Sequence, residues 1–339
     1  MGLNLGAHGI NHTLRKVHIF AGRTARQDTI ETKGIGYAKE LLKLNLLDLL
    51  KILEWNSQHN IHFYRITSDF APHITNPHFI AKKDLHDYTK LVYDLSEFKA
   101  LFKKIGDYAQ KHNIRLTFHP GQFTSLSSDN PELIIRSKRD LHFHITCLEL
   151  MNTDCNSVCV IHGGGMYNDK ATTMARWIAT FNSLPLRLKQ RIVLENDEEC
   201  YNIEDVLYMS SQIDKFNIWV VNDGRKLEYA SNLPIVFDVF HYNCYDLTLK
   251  RRNSAIPQPS ISEVLPKIVA TWGIRQIKMH LSEQKPDSMM GAHADFVQEI
   301  PKQLLMLSRK QQLDLMIEAK GGELATLLLM KKYKSYIRN

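Results

Sequence analysis

Six times along this chain a short apolar, β-branched run ends in a residue type that binds metal ions. Arg115-Leu116-Thr117-Phe118 leads into His119, Val158-Cys159-Val160-Ile161 into His162, and Arg191-Ile192-Val193-Leu194 into Glu195. Ile235-Val236-Phe237 leads into Asp238, Ile277-Lys278-Met279 into His280, and Leu315-Met316-Ile317 into Glu318. Strands of a parallel sheet, buried on both faces, read as such short Val/Ile/Leu runs. With two more strand-like runs, the segments 3–7, 62–67, 114–119, 158–163, 191–195, 234–239, 275–281 and 313–318 make eight. Helical patterns fill the gaps: 37–56, Asp94 (as a capping box with Glu97) to 111, Asp129-Asn130-Pro131 to 151, Asp169–Asn182, Asn202–Asp214, Ser260–Trp272, Ala294–Ser308 and Gly322–Tyr333. These starts rest on cap residues and proline at the first turn. Eightfold strand–helix alternation predicts an α/β fold, a single (β/α)8 barrel. In that fold the active site lies at the C-terminal ends of the strands, where all six ligand-type residues fall. The stretch 216–232, with its Asn222-Asp223-Gly224 turn, reads as a hairpin inserted before the sixth barrel strand. No repeat or linker divides the chain, so 1–339 is read as one catalytic domain.

Composition narrows the class of function. At 44% hydrophobic and 23% charged residues the chain is of ordinary globular type. The net charge of +7 and pI of 9.0 favour a polyanionic partner. Five cysteines without CxxC spacing read as reduced thiols. No signal peptide, myristoylation motif or membrane span is visible, so a cytoplasmic location is expected.

The chemistry follows from the rim. Glu195, Asp238 and Glu318 would meet at one partly desolvated mouth, where unpaired carboxylates cost several kcal/mol each. Basic residues on the strands are few, Arg65 and Lys278. Divalent cations are the better counter-ions, with His119, His162 and His280 at strand ends, His241 in a D-x-x-H with Asp238, and His293 after the seventh strand. Mixed nitrogen and oxygen donors suit zinc, manganese or iron. The candidates exceed what one four- or five-coordinate ion uses, so two or three ions are expected, and clustered ions point to phosphodiester hydrolysis. Simpler readings stand beside this one. Glu195 or Glu318 could pair with a lysine such as Lys320, and Asp238 could cap the next turn. Gly163-Gly164-Gly165 is either a phosphate cradle or a tight turn. His59, His62, His86, His112, His142 and His144 have no convergent partners and read as structural. Lys278, on the same strand face as His280, could pair with a rim carboxylate, contact a phosphate, or form a metal-bridging carbamate with carbon dioxide.

These residues carry a resemblance. Asn4-Leu5-Gly6, Arg65-Ile66-Thr67-Ser68-Asp69 with Pro72-His73, His119-Pro120-Gly121-Gln122-Phe123, Ile161-His162-Gly163-Gly164 and Leu194-Glu195-Asn196-Asp197 follow in order. So do Phe237-Asp238 with His241, Lys278-Met279-His280 with Ser282, and His293-Ala294-Asp295. Over nearly its whole length the chain resembles the ultraviolet damage endonucleases, a branch of the xylose-isomerase-like TIM barrels related to metal-dependent apurinic endonucleases. The resemblance implies a DNA repair hydrolase that incises 5′ to photoproducts (cyclobutane dimers and 6-4 photoproducts, with abasic sites as secondary substrates), leaving 3′-hydroxyl and 5′-phosphate ends. It implies two to three divalent ions, manganese first with zinc, cobalt or magnesium as alternatives, held by His119, His162, Glu195, Asp238, His241, His280, His293 and Glu318. Glu195, Lys278 and Glu318 take catalytic roles, and His8, Asn11, Arg65, Gln122 and Phe123 contact DNA or lesion, Gln122 and Phe123 as a wedge. Arg65, Lys278 and Arg251-Arg252 would contact phosphates, giving salt-dependent affinity. Ala7 stands where the family has a tyrosine, and Phe123 where tyrosine is common. The partner is damaged double-stranded DNA, with a monomeric protein and no membrane. A sugar isomerase or epimerase on the same barrel, and a non-catalytic damage-binding protein, are the alternative classes.

Overall fold

The computed structural model describes residues 2–167, 169–222, 224–252, 254 and 256–337. In chain order the elements are β1 (Gly2–His8), α1 (His12–Arg15), α2 (Gln27–Lys33), α3 (Ile35–Gln58), β2 (Phe63–Arg65), α4 (Lys99–Lys111), β3 (Arg115–Thr117) and α5 (Pro131–Leu150). Then come β4 (Cys159–His162), α6 (Lys170–Asn182), α7 (Leu186–Lys189), β5 (Ile192–Glu195), α8 (Ile203–Ser211), β6 (Phe216–Asn222), β7 (Arg225–Ser231) and β8 (Ile235–Asp238). The chain ends with α9 (Val239–Arg251), α10 (Ile261–Trp272), β9 (Ile277–Leu281), α11 (Lys302–Lys310), β10 (Gln312–Ile317) and α12 (Glu323–Lys332).

Eight parallel strands run β3-β2-β1-β10-β9-β8-β5-β4. Phe118 closes the ring against β4: its N–H donates to Val158 O at 2.9 Å, and its carbonyl accepts from Val160 N at 2.9 Å. The expected barrel and all eight strands are present. The hairpin is present too, as β6 and β7, antiparallel and outside the barrel sheet; Asp223 of its predicted turn lies outside the described residues. Among the described residues no helix is long and apolar enough to cross a membrane.

Strand alternation sorts the barrel into a packed outside and a layered inside. Outward, the strands meet helices whose apolar stripes are buried, as with Leu42, Leu46, Leu49 and Leu53 of α3. Each such side chain contributes about 1.5–3 kcal/mol by leaving water. Inward, the bottom layer is polar and tied together around Asp314. Asp314 accepts from Asn4 Nδ2 at 3.0 Å, Gln276 Nε2 at 2.7 Å and Arg115 Nη1 at 2.9 Å, which plugs that end. Above it Gly6 admits the Phe63 ring and Met316, which a Cβ would strike. The top layer is left for chemistry, and register levels it: His8 lies opposite Arg65, His162 opposite Glu195, and Asp238 opposite His280.

Three helix expectations need correction. The helix foreseen over Ala294–Ser308 begins only at Lys302. Ala294 N–H donates to Glu283 O, the Glu283 carboxylate accepts from Gln298 N and Glu299 N, and Pro301 has no N–H to give. These contacts replace the helical ladder until Pro301 has passed. Asp94 caps a short 3-10 turn through Ser96 N, while Glu97 turns to Lys39 instead of completing a capping box, and α4 starts at Lys99. The segment expected to run to Asp214 stops at Ser211, after a capping box formed by Asn202 and Asp205.

Candidate metal centre

Six of the eight expected ligand residues come within mutual reach. His119, His162 and Glu195 form one group of close donor atoms; His119, His280 and Glu318 a second; Glu195, Asp238 and His280 a third. Each lies at or just past a strand end, and Glu195, Asp238 and His280 are wholly buried. His280 Nδ1 lies 2.5 Å from Glu195 Oε1, 3.0 Å from Glu318 Oε1 and 3.9 Å from Asp238 Oδ2. One ring nitrogen carries at most one proton, so it cannot satisfy three carboxylates. Glu195 Oε2 approaches His119 Nε2 at 2.9 Å and His162 Nε2 at 3.6 Å without hydrogen-bond geometry, and Asp238 Oδ2 has no donor either. Buried carboxylate oxygens facing imidazole nitrogens with no donor between them could hold a divalent cation.

Protonation states agree with that chemistry. Burial alone would raise Glu195, but His280, His162 and His119 hold it well below the usual carboxylate range. Glu318 is likewise held down, against burial, by Arg65 and His280, and its bond with Arg65 is direct. Asp238 moves up because burial adds to repulsion from Glu195 and Glu318. Burial lowers His119 to about 4, which keeps its ring neutral and able to ligate at neutral pH. Burial also lowers Lys278 to about 7. Its Nζ touches His280 Nε2, so it braces the ring from below.

The simpler readings resolve individually. Glu318 pairs with Arg65 and not Lys320. Asp238 does cap α9, with Oδ1 accepting from Phe240 N at 2.6 Å and His241 N at 2.9 Å, yet this leaves Oδ2 for the mouth. One carboxylate thus serves both roles. Packing imposes two glycines of the run: a Cβ on Gly163 would strike the Tyr201 ring, and one on Gly164 would fall 1.9 Å from Ser125 Oγ. His144 packs between Phe118 and Phe143, and His59 stacks on Trp55, as structural histidines.

His241 and His293 stand outside the three close groups. His241 Nε2 is 3.8 Å from Asp238 Oδ2, while Nδ1 lies 2.8 Å from Glu198 Oε2. Burial would lower its pKa, but Asp238 and Glu198 overcome this and raise it well above the ordinary value. His293 Nδ1 donates to Glu318 O at 2.7 Å, and its ring packs on Phe240. Glu198 is the residue that sequence reasoning missed; the acidic run after Glu195-Asn196-Asp197 was the available signal. Asn196 was missed as well. It ties β5 to β8 through both its amide atoms, bonded to Asp238 O at 3.0 Å and Asp238 N at 2.9 Å.

Above the cluster opens a cleft of about 570 Å³ lined by Arg65, Gln122, Phe123, Glu198, His241 and His293, among others. Gln122 is exposed, and Phe123 is 90% exposed, packing against no loop. Arg251 and Arg252 hold the cleft-lining Glu199, the former at 2.9 Å. His8 sits beneath the rim, bonded to Ala319 O and lowered to about 3 by burial. Asn11, expected at the DNA, is buried: its Oδ1 caps α1 through Leu14 N.

Comparison with known proteins places the chain in a family. Residues 4–338 match the family described as UV-endonuclease UvdE. A putative UV-damage endonuclease of Acanthamoeba polyphaga mimivirus is 35% identical over 98% of this chain and 91% of its own length. A UV DNA damage endonuclease of Bacillus mycoides is 29% identical over 86% of this chain and 81% of its own. The crystal structure of SacUVDE is similar with a TM-score of 0.77 and 25% identity, over 98% of both chains. The chain belongs to the UV-endonuclease UvdE family.

Proposed function

We propose that this chain is a DNA repair endonuclease that cuts the strand 5′ to ultraviolet photoproducts, leaving 3′-hydroxyl and 5′-phosphate ends, with abasic sites as secondary substrates. The observation that carries the reading is the crowding of Glu195, Glu318 and Asp238 around one nitrogen of His280, under a cleft whose lip bears an exposed phenylalanine. His119, His162, Glu195, Asp238, His241, His280, His293 and Glu318 would hold two or three divalent ions, manganese foremost. When bound, such ions activate water and stabilise the leaving oxygen of a phosphodiester.

The chain's own residues do the rest. Glu195 gathers three histidines, and Glu318 positions the Arg65 guanidinium, a planar donor matched to a phosphate. Lys278 fixes the His280 ring, a direct contact that supports its assigned role beside Glu195 and Glu318. Asn11 shapes the first-strand loop by capping, leaving His8 and Arg65 nearer the substrate. A photodimer weakens stacking, so the damaged nucleotides leave the helix at lower cost than intact ones. Gln122 and Phe123 would fill the gap; a protruding ring over an open cleft suits a duplex better than an enclosed sugar. The net charge of +7 favours the same partner. The protein would act as a monomer.

Nicking of supercoiled plasmid tests this reading. Irradiated plasmid should be relaxed with manganese present and spared with EDTA, and unirradiated plasmid should be spared in both. Equal nicking of both plasmids, or nicking in EDTA, would overturn it.

A further inference from the structure

Two apolar side chains stand out from the surface more fully than any other large ones among the described residues: Phe123, 90% exposed, and Met289, 88% exposed. Phe123 lies on the loop after β3, four residues beyond His119; Met289 lies on the loop after β9, four residues before His293. In the closed ring β3-β2-β1-β10-β9-β8-β5-β4, strands β3 and β9 are diametrically opposed. The two tips therefore rise from opposite sides of the mouth that holds the carboxylate–histidine cluster.

The Met289 loop is built, not slack. Gln284 and His293 pair as an antiparallel bridge, and Lys285 N donates to Ala292 O at 2.7 Å. Gln284 spans the loop from within: its Nε2 donates to Met289 O at 3.0 Å, and its Oε1 accepts from Gly291 N at 3.0 Å. Asp287 and Gly291 both take positive φ, which turns the chain back on itself. Gly291 lines the cleft, where a Cβ would come within 3.4 Å of Glu198 Oε1. The loop that delivers His293 thus ties down the Met289 backbone, and the side chain covers no part of the core.

A single exposed apolar residue on a protein surface needs no explanation. A braced one on a loop that lines the cleft does, since leaving a methionine in water forgoes its burial. Apolar wedges that enter between base steps include methionine as well as phenylalanine, and an unbranched thioether adapts to irregular gaps. Resting on the nuclease reading, we infer that Met289 is a second lesion-sensing wedge, inserted beside the damaged site from the side opposite Phe123. Two wedges on opposed loops would grip a duplex already weakened in stacking and would find no opening in an intact one.

Oxidation footprinting tests this. The Glu195→Gln protein is treated with dilute hydrogen peroxide alone, with an undamaged duplex, and with the same duplex carrying one thymine dimer. Sulfoxide at each methionine is read by mass spectrometry, with duplex binding followed by anisotropy. Met306, 52% exposed on α11 away from the cleft, is the internal reference. The expected result is oxidation of Met289 slowed about ten-fold by the damaged duplex only, with Met306 unchanged. In otherwise native protein, Met289→Ala should weaken binding of the damaged duplex about ten-fold, Met289→Leu should restore it, and the incision rate at saturating DNA should hold. Binding of the damaged duplex with Met289 oxidised at its free rate would overturn this inference alone. Failure to prefer the damaged duplex at all would overturn the nuclease reading, and this inference with it.

Discussion

Removing the Glu198 carboxylate asks how far the centre depends on a residue that holds a ligand rather than being one. Glu198 Oε2 lies 2.8 Å from His241 Nδ1, which leaves Nε2 as the nitrogen facing Asp238 Oδ2 at 3.8 Å. Burial would raise Glu198, but the adjoining His241 ring brings the carboxyl down to about 2, so it stays ionised and can orient the ring as a neutral ligand when a metal ion displaces the second proton. Carboxylates that orient a ligating imidazole are typically worth about ten- to a hundred-fold in metal affinity. Because the Glu198 side chain is 30% exposed, solvent screens the pair and the lower end applies. Glu198→Ala should therefore weaken one manganese-binding event about ten-fold, which is about 1.4 kcal/mol. Glu198→Gln keeps an acceptor oxygen and should fall between it and the native protein. The metal-free protein should lose under about 1 kcal/mol of stability in either case, since a screened pair contributes little. Calorimetric titration of the apo-protein with manganese, beside denaturant unfolding without metal, reads both quantities. Unchanged manganese affinity in Glu198→Ala would refute the reasoning, and outright loss of one equivalent would make Glu198 a ligand itself.

Two further substitutions probe the rim. Phe123→Ala removes a ring that is 90% exposed, so stability should shift within about 0.5 kcal/mol. Its preference for damaged over undamaged duplex should fall by roughly one order of magnitude in competition binding, as for loss of a base-stacking ring. Gly164→Ala places a Cβ 1.9 Å from Ser125 Oγ at a φ of +87°, and it should cost about 2–4 kcal/mol in chemical denaturation. A loss near zero there would mean that the Ser125 loop yields freely, and the packing account of the glycine run would be wrong.

The parts of the fold legible from sequence are those governed by burial. Each barrel strand is covered on both faces, so runs such as Val158–Ile161 and Ile192–Leu194 had to be apolar. The ligands were legible because His, Asp or Glu follows six of those runs at the C-terminal end. Helix starts governed by local caps, at Asn130, Asp169 and Asn202, were equally plain. What failed depended on distant partners. Ala294–Pro301 has helical periodicity, but Glu283 and the strand-end loop at Lys320 and Gly321 take its backbone groups. Glu97 meets Lys39 across 58 positions, and Glu198 meets His241 across the mouth, contacts that no local window contains. Asn11, named for DNA contact only by resemblance, is buried as a cap. Asp238 shows why the cap and ligand readings need not compete: its two oxygens face different ways.

The central claim is that the buried carboxylate–histidine cluster cuts DNA beside a photoproduct, and one substitution isolates it. Glu195→Gln keeps the volume of a wholly buried side chain while removing the charge that His119, His162 and His280 surround. On a duplex carrying a single thymine dimer, with manganese, the native protein should cut once, 5′ to the lesion, and stop on addition of EDTA. Glu195→Gln should bind the same duplex with near-native affinity and leave it whole. Cutting by Glu195→Gln at the native rate would contradict the account.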